Sequence, residues 1–236
     1  MTQVPRDPHP VSWGVDGVRG MVEERESAGY LLGETARLLR VNAGIALVAL
    51  GVMTLLGVAA DLYPDFAAPA GLGTFVANLF LQYETSRATL VHYDLLDDGT
   101  GGRRLAALLG LNIISGIGIL FGLVLLILPG AYLFVRWSAA APALIAEDAG
   151  IYDSLERSAE AIEGRFWHVF AAILVLWAPF VLAGLAAIVV VPEDQLLIAS
   201  LALNLCLNLA LIAGWHLAVA IYAGRQDGTN LAEVFA

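Results

Sequence analysis

The stretch Leu105–Leu128, LAALLGLNIISGIGILFGLVLLIL, decides the fold class of this chain. Its 24 residues carry no charged side chain, and only Asn112 and Ser115 are clearly polar. A helix needs roughly 20 apolar residues to cross about 30 Å of hydrocarbon, so this stretch is long enough to span a membrane. The sequence therefore predicts an all-α membrane protein.

The composition of the whole chain also indicates a membrane protein. Of 236 residues, 59% are hydrophobic and 14% are charged, and the mean hydropathy is +0.76. Soluble domains are about 45–50% apolar and about 25% charged. The single Cys206 excludes a disulfide scaffold. The net charge of -10 argues against a nucleic-acid partner, because phosphates need a basic patch.

Five further stretches match the length and apolar character of a membrane span, although one of them carries Arg136. They are Val41–Ala60, Phe66–Tyr83, Ala131–Ala146, Phe166–Val191 and Leu196–Ala223. Together with Leu105–Leu128 they predict a polytopic bundle of six transmembrane helices. We expect residues 23–226 to form this membrane domain, between a disordered cytoplasmic tail at 1–22 and a short cytoplasmic tail at 227–236.

The positions of arginine predict the orientation of the bundle. Positively charged residues favour the cytoplasmic side of a membrane, whereas acidic residues have little influence. In a six-span arrangement the arginines next to the spans all fall on one side, at Arg37, Arg40, Arg103, Arg104, Arg157, Arg165 and Arg225. The connections on the other side are Asp61–Pro69, the Pro129–Gly130 turn and Pro192–Gln195, and none of them contains an arginine. We therefore expect both termini to be cytoplasmic and the protein to lie in the cell (inner) membrane.

Two polar stretches have the periodicity of amphipathic helices. From Ala28 to Arg40, and again from Ile151 to Phe166, apolar side chains recur every three or four residues opposite a charged face. Asp153, followed three residues later by Glu156, resembles a capping box and predicts the start of the second helix. We expect both helices to lie along the cytoplasmic interface and to position the following spans.

The sequence holds few of the patterns that carry catalysis. The four histidines at His9, His92, His168 and His216 have no metal-ligand spacing, and no nucleophile motif or phosphate-binding loop is present. No cofactor is predicted. A lipid-acting enzyme would depend on Glu84, His92 and Asp94 for acid–base groups.

Polar residues inside the predicted spans are the candidate functional residues, because such groups are costly in hydrocarbon and face a bundle interior or a cavity. The candidate cluster comprises Arg136, Asn78, Asn204, Asn208 and Asn112. One interpretation is a substrate pocket for an anion around Arg136, as in a small transporter or permease. The other is interhelical hydrogen bonding that holds the spans together, with Arg136 contacting Asn204 or Asn78. A third interpretation is that the Arg136 side chain extends to the outer interface.

A block of about forty residues resembles a known family. Its segments are Pro129–Tyr132 (PGAY), Val135–Ser138 (VRWS), Ala141–Pro142, Glu147–Gly150 (EDAG), Ser154–Ser158 (SLERS) and Gly164–Trp167 (GRFW). This block resembles a family of uncharacterised prokaryotic integral membrane proteins that includes the membrane domain of some glycerophosphoryl diester phosphodiesterases. The resemblance implies a helical membrane fold. It implies no phosphodiesterase activity, because no such domain is fused to the block.

These observations lead to one expected function and two alternatives. We expect a non-catalytic integral membrane protein that serves envelope upkeep or supports a membrane protein partner, with the lipid bilayer as its immediate environment. A transporter with a polar site at Arg136 is the first alternative, and an intramembrane lipid-acting enzyme is the second. The sequence names no small-molecule ligand.

Overall fold

The computed structural model describes residues 27–96 and 104–234, with only the backbone given for residues 193 and 227–234. Every regular element in this part of the chain is helical. The α-helices are α1 (Ala28–Val41), α2 (Ala43–Leu62), α3 (Ala67–His92), α4 (Leu105–Leu125), α5 (Ile127–Arg136), α6 (Ala140–Ala146), α7 (Ile151–Ile162), α8 (Phe166–Val190) and α9 (Leu196–Val234). Short 3₁₀-helices at Pro64–Phe66 and Glu193–Gln195 connect α2 to α3 and α8 to α9.

Four helices of the described chain are long and apolar enough to cross a membrane. These are α2 with 20 residues, α4 with 21, α8 with 25, and the 31 residues of α9 from Leu196 to Gln226. They coincide with four of the predicted spans. The described helices therefore confirm the prediction of an all-helical, multi-pass membrane protein.

The other two predicted spans take different forms. Phe66–Tyr83 falls largely within α3, a 26-residue helix that continues to His92 through the charged Glu84 and Arg87. Ala131–Ala146 is divided between α5 and α6 by a break at residues 137–139. Neither belongs to the four helices that are both long and apolar enough to cross.

Two clusters of buried apolar side chains hold the helices together. The smaller one joins α2, α3 and α9 through Met53, Leu81 and Trp215. The larger one joins the remaining helices to α3 and α9, and its fully buried members include Leu31 and Leu144. Between helices in lipid the stabilisation comes from close packing, because lipid tails are as apolar as leucine.

The α4–α5 hairpin turns at a different residue from the one that the sequence suggested. Leu126 is extended (φ -161°, ψ 136°) between the two helices, whereas Pro129 and Gly130 lie within the first turn of α5. Proline fits there because the first N–H groups of a helix have no intrahelical acceptor. A Cβ atom at Gly122 would lie 2.8 Å from the Gly130 Cα, so the two backbones are in direct contact.

The two polar helices are each buried on one side. In α1 the buried residues are Leu31, Thr35 and Leu38, and the Ser27 hydroxyl caps the helix by accepting the Tyr30 N–H at 3.1 Å. In α7 they are Ser154, Leu155, Ser158, Ala161 and Ile162. The predicted capping box at Asp153 is wrong, because α7 begins at Ile151 and Asp153 lies within its first turn.

Several predictions fall outside the described residues. The tail predicted at 1–22 lies wholly in a part of the chain that the structure does not describe, and so does Arg103, one of the arginines used to predict the orientation. The predicted tail at 227–236 overlaps α9, whose backbone remains helical to Val234.

Candidate functional site

Arg136 is the last residue of α5 and is half-buried. Its guanidinium carbon lies 5.8 Å from the centre of the Tyr132 ring, one turn earlier on the same helix, which is within cation–π range. Within the described chain it makes no hydrogen bond to Asn78 or Asn204. The predicted contact of Arg136 with Asn204 or Asn78 is therefore wrong.

Asn204 belongs to a polar group at the α2–α9 interface. Its amide donates to Asp61 Oδ2 at 2.9 Å, and Ser200 Oγ donates to the same oxygen at 2.7 Å. A Cβ atom at Gly57 would overlap the Asn204 amide, so the small residue is what allows the two helices to approach. A groove of about 440 Å³ between α8 and α9 is lined partly by Asp61 and Ser200.

The other two paired asparagines also join helices. Asn208 donates to Thr54 Oγ1 at 3.2 Å, one turn further along the α2–α9 interface. Asn112 of α4 donates to Gln82 Oε1 of α3 at 2.9 Å. Asn78 is half-buried on α3 and makes no hydrogen bond to another described residue. The five candidates are thus separated into an α2–α9 pair, an α3–α4 contact and two residues that join neither.

The break between α5 and α6 is held by a serine of α7. Ser158 Oγ accepts the Ala139 N–H at 3.0 Å and donates to the Arg136 carbonyl at 2.8 Å. Both are backbone groups that a continuous helix would have bonded internally. Ser158 is fully buried, so a single hydroxyl satisfies the interrupted backbone and ties α7 to it.

A second charged group connects the α6–α7 region to α4 and α9. Tyr222 of α9 donates to Glu147 Oε1 at 2.8 Å, and Arg157 lies 3.3 Å from the other oxygen of this carboxylate. Arg104 pairs with Asp148 at 3.0 Å and donates to the Ala149 carbonyl at 2.7 Å. Ion pairs this exposed contribute little individually, but Arg104 also bonds a backbone carbonyl.

Arg165 makes a buried contact between helices. It is 4% exposed, and its guanidinium donates to the carbonyls of Ala161, at 2.7 Å, and Ile221. A buried guanidinium requires acceptors of this kind because water is excluded. The start of α8 is thereby attached to the second half of α9.

The end of α3 is attached to α1 by a third charged group. Glu34 accepts Arg37 Nη2 at 2.6 Å and Nε at 2.9 Å, and it accepts the Tyr93 hydroxyl as well. Arg37 also contacts His92 Nε2 at 3.1 Å. The hydrogen bond from Arg37 lowers the pKa of the Glu34 carboxyl, in spite of its partial burial, while burial raises the pKa of Tyr93.

A cavity of about 170 Å³ lies between α3, the α5–α6 break, α8 and α9. Its lining holds no charged residue. The polar lining residues are Gln82, Ser86 and Ser138, and the aromatic ones are Phe134, Trp177 and Trp215. Ser138 Oγ is buried without a hydrogen-bond partner in the described chain.

Metal-binding groups are not seen in the part of the chain that the structure describes: no three histidine, cysteine or acidic side chains come together there. Of the residues considered for acid–base chemistry, His92 contacts Arg37 across the α1–α3 interface. Glu84 also has an interaction partner.

Sequence reasoning missed several of these residues. The position of Asp61 at the end of an apolar span does not by itself predict a site. Its carboxylate nevertheless needs hydrogen-bond donors, and Ser200 and Asn204 of another helix supply them. Ser158 and Ser138 carried no signal, since serine is common on any helix and only the fold shows which backbone groups need a donor.

No family model, no curated protein and no solved structure matches this chain. The resemblance drawn from residues 128–167 therefore rests on those residues alone.

Proposed function

We propose that this protein is a non-catalytic membrane protein of six crossings, with both termini cytoplasmic, that supports a membrane protein partner or envelope upkeep. The observation that carries the proposal is how its intramembrane polar groups are used. Asn112 bonds Gln82, Asn208 bonds Thr54, and Asn204 bonds Asp61, each across a helix interface. Groups engaged in this way stabilise packing and are not presented to a substrate.

Six crossings are supported by the dimensions of the two less apolar segments. At about 1.5 Å per residue, the 26 residues of α3 extend roughly 39 Å, more than the thickness of the hydrocarbon. At the same rise, residues 127–146, which comprise α5, the break and α6, extend about 30 Å. The break shortens the segment, so this length is an upper value. Their polar residues would face other helices and not lipid, as Gln82 does toward Asn112.

The proposed orientation is supported by contacts that gather the arginine-bearing segments at one end of the bundle. Arg104 reaches Asp148, Arg157 reaches Glu147, and Arg165 bonds the carbonyl of Ile221. By the preference of arginine for the cytoplasmic side, this end faces the cytoplasm. The helices α1 and α7, each buried on one side only, would lie along that surface.

Deletion of the gene and complementation tests the proposed role. We expect loss of the protein to weaken the envelope, measured as uptake of an excluded dye, and restoration to follow the amount of protein in the membrane. When dye exclusion is plotted against the amount of protein in the membrane, the variants Asn112→Leu and Arg136→Ala should fall on the same line as the wild type.

A variant that is present at the wild-type level but does not restore the envelope would contradict a purely supporting role. If Arg136→Ala alone behaved in this way, the transporter alternative would replace the proposal. Loss of function at Glu84 or Asp94 in folded protein would point to the lipid-acting enzyme.

A further inference from the structure

The cavity between α3, the α5–α6 break, α8 and α9, here called the central cavity, contains a polar group that the fold does not use. Ser138 Oγ is buried and has no hydrogen-bond partner in the described chain. Buried hydroxyl groups are almost always hydrogen-bonded, so an unpartnered one in the lining of a cavity indicates a missing partner. Gln82 and Ser86 add polar side chains to the same lining.

Two indole groups add aromatic surface to the same cavity. Trp177 and Trp215 both line it. Trp177 lies against Gly214, where a Cβ atom would come within 3.3 Å of Nε1. The Phe134 and Trp177 rings meet edge to face with their centres 6.2 Å apart, and together they form an aromatic wall.

The size, depth and charge of the central cavity limit what it can hold. A volume of about 170 Å³ is close to that of an engineered cavity of about 150 Å³ that accommodates benzene. Trp177 is eleven residues into α8, about 16 Å from its start and so near the middle of a bilayer. An ion would be costly there without a charged partner, and the lining offers none.

We propose that the central cavity binds an uncharged, planar ring that accepts hydrogen bonds, held against the aromatic wall and oriented by the hydroxyl of Ser138 and the indole N–H of Trp177. Ring stacking supplies apolar contact, and the donors select an oxygen-bearing ring over a plain hydrocarbon. The cavity is thus a ligand site of its own, separate from Arg136 and from the paired asparagines.

Three small probes of similar shape test this proposal on the full chain in lipid nanodiscs. Acetophenone has a ring and a carbonyl acceptor, ethylbenzene has the ring alone, and benzoate adds a charge. We expect acetophenone to raise the unfolding temperature at the lowest concentration, ethylbenzene to need about five- to tenfold more, and benzoate to have no effect.

Substitutions locate the binding. Ala218→Leu fills the cavity and should abolish the effect of acetophenone, whereas Ala186→Leu, at an exposed position of α8, should leave it unchanged. Ser138→Ala should weaken acetophenone about fivefold and leave ethylbenzene as it was. Trp177→Phe removes part of the aromatic wall as well as the indole N–H, so it should weaken both probes and acetophenone more. The unliganded unfolding temperature of each variant shows whether it folds.

Three outcomes would overturn the proposal. Equal effects of acetophenone and ethylbenzene, unaltered by Ser138→Ala, would mean that the cavity takes a lipid acyl chain. An undiminished acetophenone effect in folded Ala218→Leu would place the binding elsewhere. No effect of any probe on the wild type would mean that the cavity is closed to ligands. None of these results bears on the complementation assay of the proposed function.

Discussion

At Gly57 the α2–α9 interface has room for the hydrogen atom of a glycine but not for a methyl group. A methyl group there would overlap the Asn204 amide, which is fixed by its bond to Asp61. We therefore expect Gly57→Ala to destabilise the protein by about 1–3 kcal/mol, as overpacking does in other cores. Thermal unfolding in nanodiscs would measure this loss.

Gly51 provides the matched control on the same helix. No atom lies within 4 Å of a Cβ built there, so Gly51→Ala should be neutral or slightly stabilising. The double variant Gly57→Ala, Asn204→Ala should recover part of the loss, because the overlapping amide is gone. Equal unfolding temperatures for Gly57→Ala and Gly51→Ala would show that α2 and α9 are not in contact at this level.

The Thr54–Asn208 hydrogen bond is suited to a double-mutant cycle. Both side chains are buried, at 6% and 9% exposure, and the bond is 3.2 Å long. We expect a coupling energy of about 0.6 kcal/mol between Thr54→Val and Asn208→Leu, the average for such bonds in membrane proteins. Additive effects of the two substitutions on unfolding free energy would refute the contact.

At the scale of the element, the α1–α3 attachment makes part of the stability depend on pH. The pKa of Glu34 is lowered in the folded state, chiefly by its hydrogen bond from Arg37. The contribution of Glu34 to the free energy of unfolding is complete above the unfolded pKa of about 4.3. It is lost as the pH falls through the lower pKa of the folded state. Glu34→Gln should remove this acid-dependent part, with a loss near neutrality of roughly 1 kcal/mol.

The measurement compares wild type and Glu34→Gln by chemical unfolding from pH 7 down to pH 3. Their stabilities should converge as the pH falls. Glu156→Gln, at an exposed position of α7, is a control that should keep the wild-type profile. Parallel curves for wild type and Glu34→Gln would show that the carboxylate does not hold α1 in place.

The α5–α6 break is an element whose shape depends on its neighbour. Removing the Ser158 hydroxyl leaves the Ala139 N–H and the Arg136 carbonyl without their partner. We expect Ser158→Ala to cost about 1–3 kcal/mol and to loosen α7, measurable as faster hydrogen exchange in residues 137–139. Ser115→Ala removes a hydroxyl that bonds only within α4, so it should change stability much less. Unaltered exchange at the break in Ser158→Ala would contradict this assignment.

For the whole molecule, the prediction with the widest consequence is which end of the bundle faces the cytoplasm. With Cys206 replaced, cysteines at Asp153 and Asp194 report on opposite ends, and both positions are exposed. In intact cells an impermeant maleimide should label Asp194→Cys and not Asp153→Cys, and inverted vesicles should reverse the result. Labelling of Asp153→Cys in intact cells would place α7 outside.

Sequence periodicity predicted the apolar helices well because a span must satisfy its own backbone, whatever surrounds it. Leu105–Leu125 and Phe166–Val190 needed no knowledge of their neighbours. The same reasoning failed at Pro129, where proline suggested a turn but occupies a first-turn position that tolerates it.

The candidate site was harder to predict because it depends on which helices are adjacent. Arg136 and Asn204 both lie inside predicted spans, but a position along a span says nothing of the distance to another span across the bundle. Asn204 instead contacts Asp61, and the unpartnered Ser138 becomes notable only once the helices that line a cavity are known.

The backbone contact between Gly122 and Gly130 has a consequence for how the chain enters the membrane during synthesis. α5 is only ten residues long and ends in Arg136, so it is a poor substrate for insertion by itself. In the six-span arrangement proposed above, its fit against α4 would let the two helices enter the membrane as a pair, with α4 supplying the apolar surface that favours insertion. A bulky residue at Gly122 would then act first on biogenesis, and the nascent chain would be lost to proteolysis before a mature protein existed to be destabilised.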